Sequence, residues 1–419
     1  MVDSNFKKSI QLFLAKLSGY LRLDVRYFIK GGSWLLLSLF IVYPMGIIRS
    51  IGFANLAEQE VYGQFTFILA AANIANILTL PGINLALTET VARGNLGSLF
   101  QAAQIRFRWG LLASIGIIGI GVYYFFNGYS DLLFAFAIVA LFKPVTVYFV
   151  VIVGYFKGLK RFDVSSIITI GMTIVNTCAI LLALWLQLGL LSFVTIVSAS
   201  GLVFYVCYYY KAKPQAMEKP TDPDMVAYGR SLTWAQIIPI IALYVDSIVL
   251  GLSLGFTDVA IYRIASILPQ KTKNLMKMML TLVMPKIAEK PDKRIYTRRT
   301  RYYLLVLVIA NLIGVLAIVV LIPIIIPLLY SEMYLGSIQY AQLLMISLVF
   351  NLPNSFFNGA LFARKQIQTI YRSNTFSSLL QLGLFAFLIP RLGILGIVIS
   401  YIVSRWSKAF YQWQAVARL

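Results

Sequence analysis

A helix needs about 20 mostly apolar residues to cross a bilayer, where every backbone polar group must be satisfied within the span. This sequence offers twelve such stretches, at 33–52, 61–88, 107–126, 132–156, 164–187, 191–210, 231–253, 259–285, 302–327, 340–362, 374–390 and 394–412. Repeated at that length, they leave one fold class: an all-α polytopic membrane protein with 12 transmembrane helices. The composition agrees, with 60% apolar and 12% charged residues, against roughly 45–50% and about 25% in soluble domains.

The charges set the orientation. A net +21 would point to nucleic acid in a soluble protein. Here 29 of the 36 basic residues fall before span 1, in or beside the even-numbered connections, or towards the C-terminal end. Basic loops stay in the cytoplasm, so both termini are expected there and no nucleic-acid partner is expected. Residues 1–32 read as a cytoplasmic amphipathic segment. Ile10, Leu14, Leu17 and Leu21 share a helical face among Lys7, Lys8, Lys16 and Arg22, the pattern of a helix lying on an anionic leaflet; a mobile basic tail is the alternative. The apolar run from Trp34 to Ile48 is too long for a cleavable signal peptide.

The halves repeat. Ser50-Ile51-Gly52-Phe53 recurs as Ser253-Leu254-Gly255-Phe256, and Leu188-Gly189-Leu190-Leu191 as Leu392-Gly393-Ile394-Leu395. Gly154, Phe156 and Lys157 have counterparts in Gly359, Phe362 and Arg364. An N-lobe over 33–210, a proline-containing linker over 211–230, a C-lobe over 231–412 and a tail over 413–419 follow. Six spans per repeat give both halves one orientation. The expectation is therefore two six-helix bundles related by a pseudo-twofold along the membrane normal, rocking about a central cavity.

Ionisable residues inside spans are costly and mark substrate paths. Lys143 lies in span 4, and Arg263, Lys271, Lys273 and Lys277 lie in span 8. At about 100° per residue the three lysines fall near +80°, −80° and −40° from Arg263, on one side of the helix. Acidic counterparts are few: Asp246 in span 7 and Glu89 near the end of span 2. The cavity is therefore expected to be positive and to suit a phosphate or pyrophosphate. Asp246 either couples to an ion or pairs with a cation. Arg49, near the end of span 1, reads as an interfacial anchor. Asn73, Asn76 and Asn84 share a face of span 2 with Thr66, and Asn351, Asn354 and Asn358 share one of span 10. They serve either as sugar contacts or as interhelical hydrogen bonds.

Catalytic chemistry finds little support. His is absent, and Cys178 and Cys207 read as core thiols that cannot cage a metal. There is no P-loop, no pair of carboxylates at catalytic spacing, and no long outward loop to carry an active site. No enzyme activity, cofactor or metal is expected.

Three regions also carry a family likeness: Tyr62-Gly63-Gln64-Phe65, the span 4 exit Gly154-Tyr155-Phe156-Lys157-Gly158-Leu159-Lys160-Arg161-Phe162, and Asp246, Gly251, Gly255 and Tyr262 at the start of the second lobe. In these, and in span count and repeat, the chain resembles the polysaccharide exporters of the multidrug/oligosaccharidyl-lipid/polysaccharide superfamily, which include O-antigen flippases. The resemblance implies flipping of an undecaprenyl-diphosphate-linked oligosaccharide across the bacterial cytoplasmic (inner) membrane. Membrane lipids, H+ or Na+ as coupling ion, and polysaccharide polymerase machinery are the implied partners. Two alternatives belong to the same superfamily. A multidrug cation antiporter requires buried carboxylates, and a lipid II flippase of cell-wall synthesis would have fourteen spans.

Overall fold

A computed structural model describes residues 25–288, 298–364 and 366–417, and among them no strand occurs. Residues 1–24 of the amphipathic segment expected over 1–32 lie outside the described residues, as does the side chain of Lys277. The first bundle holds α1 (Val25–Leu56), α2 (Gln59–Ala75), α3 (Gly82–Ala92), α4 (Ser98–Phe126), α5 (Ser130–Phe149), α6 (Val151–Gly158), α7 (Phe162–Trp185) and α8 (Leu190–Ala216). The second holds α9 (Met225–Ser253), α10 (Phe256–Ala288), α11 (Arg298–Leu329), α12 (Ser337–Ile346), α13 (Asn351–Ala363), α14 (Ile367–Leu392) and α15 (Ile394–Ala417).

Each expected span falls on helical segments, although spans 2 and 10 are each divided in two, at Asn76–Pro81 and at Ser347–Phe350. Ten helical segments among the described residues are long and apolar enough to cross a bilayer. The other two expected spans are α10, interrupted by Arg263, Lys271 and Lys273, and α15, which carries Arg405 and Lys408. Span 3 begins earlier than expected, at Ser98, so Arg106 lies inside α4 and is 2% exposed. Its assignment to a cytoplasmic connection is corrected: eight preceding residues suit a helix well enough to extend it. Cys178 and Cys207 are both exposed, not core. Apolar neighbours in sequence do not separate a lipid-facing surface from a packed interior.

Prolines organise the polar residues of the spans. A proline cannot donate to the carbonyl four residues back, and in a bilayer that carbonyl needs another donor. Three are supplied by neighbouring helices. Pro144 frees Ala140 O, which accepts from Ser114 Oγ at 2.6 Å. Pro323 frees Val319 O, which accepts from Gln342 Nε2 at 3.1 Å. Pro353 frees Val349 O, which accepts from Asn311 Nδ2, and the same amide reaches Leu348 O at 3.0 Å.

The bundles meet on both faces. On the face of the α1–α2 and α9–α10 turns, here the turn face, Gly63 packs backbone to backbone on Phe256. A Cβ at Gly63 would fall 1.8 Å from Phe256 O, so no other residue fits. Nearby, Gln59 Nε2 donates to Met333 O at 2.6 Å, Asn55 Nδ2 to Leu329 O at 2.9 Å, and Ser331 Oγ to Ala54 O at 2.8 Å. On the opposite, linker face, α9 packs against α3, and Thr90 Oγ1 donates to Asp222 Oδ2 at 3.3 Å.

Candidate functional site: a cationic cavity between the lobes

Arg49 on α1, Asp246 on α9 and Arg263 on α10 each lie seven residues from the turn-face end of their helix. At 1.5 Å per residue that is about 10 Å deep, so three helices bring their charged residues to one level. Between them lies a cavity of about 340 Å³, lined also by Tyr62, Thr66, Asn73, Tyr244 and Gln270. A smaller recess of about 110 Å³, sharing Arg49, Arg263 and Gln270, extends to Lys271 and Asn274.

Arg49 and Lys271 are held differently. Arg49 Nη1 donates to Asn176 Oδ1 at 2.8 Å, within the first lobe. Lys271 crosses between lobes: its Nζ lies 3.4 Å from Tyr43 O and 4.8 Å from the Tyr43 ring centre. Asp246, 3% exposed, is surrounded by neutral donors. Oδ1 accepts from Ser247 N at 2.6 Å and Ser247 Oγ at 3.2 Å; Oδ2 accepts from Tyr262 Oη at 2.5 Å and Tyr401 Oη at 3.0 Å. Among the described residues no cation is within ion-pair distance of it. The arrangement therefore presents positive charge to the cavity while the one carboxylate faces phenols, a hydroxyl and an amide.

The expected site residues divide. Arg263, Lys271, Asp246 and Asn73 come together with Thr66. Lys143 does not line the cavity; its Nζ donates to Ala72 O at 3.3 Å. Lys273 also lies off the lining, and Glu89 pairs with Arg93 one turn along α3. Asn76 accepts from Thr79 Oγ1 at 3.1 Å, and Asn84 lies beyond a break in span 2, where the helical wheel no longer holds. In the second lobe, Asn351 Nδ2 lies 3.7 Å from Met276 Sδ, Asn354 Nδ2 donates to Arg405 O at 3.3 Å, and Asn358 Oδ1 accepts from Gln412 Nε2 at 2.9 Å. These amides knit the lobe together.

Residues 28–290 match the family described as polysaccharide biosynthesis protein. The chain belongs to that family. A search of curated proteins by sequence finds no match. Among solved structures, this member of the polysaccharide biosynthesis family is similar to the lipid II flippase MurJ in an inward closed conformation, with 14% identity and TM-score 0.67 over 91% of this chain and 86% of that one. It is similar to an inward-facing multidrug-resistance MATE transporter of the MOP superfamily, with 13% identity and TM-score 0.66 over 93% and 98%. It is also similar to a MOP-superfamily transporter from Pyrococcus furiosus Vc1 (DSM3638), described as having a binding pocket of reverse polarity, at 14% identity and TM-score 0.59 over 92% and 96%. The family member thus has the two-lobed MOP transporter fold and is a multi-pass membrane protein.

Two functional candidates escaped the sequence. Arg49 was expected at the membrane interface, yet it lines the cavity because Asn176 holds it inward. Arg405 on α15 was counted only with the basic C-terminal end, yet its Nη1 lies 2.5 Å from Ser347 Oγ and its guanidinium 4.9 Å from the Tyr401 ring centre, one residue removed from Asp246. The repeat gave no signal for either.

Proposed function

We propose that this protein moves an undecaprenyl-diphosphate-linked oligosaccharide, an O-antigen or other surface-polysaccharide repeat unit, from the cytoplasmic to the outer leaflet of a bacterial cytoplasmic membrane. The supporting observation is that Arg49, Arg263 and Lys271, drawn from both lobes, converge on one cavity. A diphosphate carries clustered negative charge and acceptor oxygens that guanidinium groups can engage bidentately. Its binding would relieve repulsion between cations of opposite lobes. Thr66 and Asn73, which line the same cavity, would meet the first sugar, while the polyprenyl tail remains in lipid. Rocking of the lobes then transfers the head group. The basic linker face is the cytoplasmic one in this reading, with both termini on that side and polymerase machinery receiving the product outside. Asp246 serves as the site through which H+ or Na+ couples to transport. A multidrug cation antiporter is disfavoured because both oxygens of Asp246 are engaged by neutral donors.

The test is flipping of a fluorescent polyprenyl-diphosphate oligosaccharide in proteoliposomes. The Arg263→Ala/Lys271→Ala double variant should insert and fold yet fail to flip it. Full flipping by that variant overturns the role of these residues. Equal flipping of lipid II, or transport of an organic cation in its place, overturns the glycan assignment.

A further inference from the structure

Span 2 is not one helix. Pro81 has no N–H and disfavours helical backbone before it. Leu80 adopts φ 53°, and the chain passes from a 3-10 turn at Asn76–Thr79 into α3 at Gly82. The break creates two helix ends inside the membrane, each with backbone groups to satisfy. At the first end, Asn76 O accepts from Thr79 Oγ1 at 2.8 Å, and Thr79 O accepts from Arg106 Nε at 3.1 Å. Both donors belong to the first lobe. At the second end, Ile83 N and Asn84 N bond locally to Leu80 O and Pro81 O. Gly82 N is the exception: it donates to Thr233 Oγ1 at 3.0 Å, on α9 of the opposite lobe.

Thr233 is built for this contact. It is 3% exposed, and its hydroxyl also donates to Gly229 O at 2.9 Å, so donor and acceptor are both used. A Cβ at Gly82 would lie 2.4 Å from Gly229 O; only glycine lets α3 approach α9 this closely. The two halves of span 2 also differ in their partners: α2 packs against both α9 and α10, reaching α10 at the turn face, whereas α3 packs against α9 at the linker face.

We infer that Thr233 is the latch of the linker-face gate. Its hydroxyl caps α3 only while the lobes are closed on that face, whereas Arg106 caps the other half of span 2 in every state. Opening exchanges the Thr233 cap for water, so the latch biases the equilibrium without locking it. One neutral hydrogen bond corresponds to a change of about three- to tenfold in the open population. The inference rests on the alternating-access part of the proposed function and not on the substrate.

The experiment reads access directly, without substrate, so failure of the oligosaccharide assignment leaves its result intact. A Ser266→Cys reporter in the cavity wall, in a Cys178→Ser/Cys207→Ser background, is labelled with an impermeant thiol reagent from each face of oriented proteoliposomes. Thr233→Val keeps the shape and removes the hydroxyl; it should label about three- to tenfold faster from the linker face and no faster from the turn face. Thr233→Ser should label at the parent rate. An unchanged linker-face rate in Thr233→Val, an equal rise from both faces, or a Thr233→Ser variant that behaves like Thr233→Val overturns the latch. If size-exclusion chromatography shows Thr233→Val to be misfolded, Thr233→Ala is read against the same outcomes.

Discussion

Arg49 Nη1 donates to Asn176 Oδ1 at 2.8 Å, and Asn176 Nδ2 donates in turn to Ser200 Oγ at 2.8 Å. The pairing joins α1, α7 and α8 of one lobe and gives the Arg49 guanidinium a fixed direction. Arg263 and Lys271 come from the other lobe, so the cavity's positive charge is assembled only when both lobes face it.

Asn176→Leu leaves Arg49 its charge but removes the group that aims it. Binding of a polyprenyl diphosphate by purified protein should weaken about tenfold, the value of one hydrogen bond to a charged group. Arg49→Ala should weaken it further. Unchanged affinity in Asn176→Leu would show that Arg49 needs no orienting partner.

Lys143 and Lys271 are both lysines deep in spans, yet only Lys271 borders the cavity recess. Lys271→Met should reduce diphosphate affinity at least tenfold, whereas Lys143→Met should leave it within about twofold. Titration of both variants under one ionic strength checks the contrast, because screening alters these interactions. A comparable loss in the two variants would return Lys143 to the binding site.

How much of this was legible in the sequence depended on what set each feature. The spans followed from apolar run length, and helical spacing put Arg263 and Lys271 on one side of α10, but the same wheel also included Lys273, which lies off the lining. The Asn face of span 2 failed at Pro81: the break rotates everything after it, separating Asn73 from Asn84. Arg106 was misplaced because α4 begins at Ser98, ahead of the expected start of span 3, and Arg49 because its partner, Asn176, is 127 residues away. Run length locates a charge along a helix but not the side to which a distant residue turns it. The cysteines failed for a simpler reason, since lipid and protein interior select the same apolar neighbours.

The break in span 2 also predicts unequal stability effects. Arg106 is 2% exposed and gives Nε to Thr79 O and Nη2 to Thr79 Oγ1, each at 3.1 Å. Arg106→Met leaves a buried carbonyl without that donor, a loss of about 1–3 kcal/mol. Lys143→Met should cost less, because Ala72 O also accepts from Asn76 N. Thermal unfolding in one detergent should rank wild type above Lys143→Met and Lys143→Met above Arg106→Met. The reverse order would mean that the buried guanidinium is not what holds the break.

Asp246 separates a structural role from a coupling one through two substitutions. Its Oδ2 takes both phenolic hydroxyls, Tyr262 and Tyr401, while Oδ1 takes both Ser247 donors. In Asp246→Asn the amide oxygen can keep the Ser247 bonds, and the amide nitrogen can donate to the two phenols once their hydroxyls rotate. This variant should fold with little loss of thermal stability. Asp246→Leu removes the phenols' common acceptor and leaves at least one buried hydroxyl unsatisfied, at about 1–3 kcal/mol; its unfolding temperature should drop by several degrees. If Asp246 couples an ion to transport, Asp246→Asn should still flip the lipid-linked oligosaccharide down its own gradient. It should no longer respond to an imposed H+ or Na+ gradient, because the amide cannot bind a proton or compensate a cation's charge. Flipping in proteoliposomes with and without each gradient measures this. A wild-type gradient response in Asp246→Asn would reduce Asp246 to a structural tie among α9, α10 and α15.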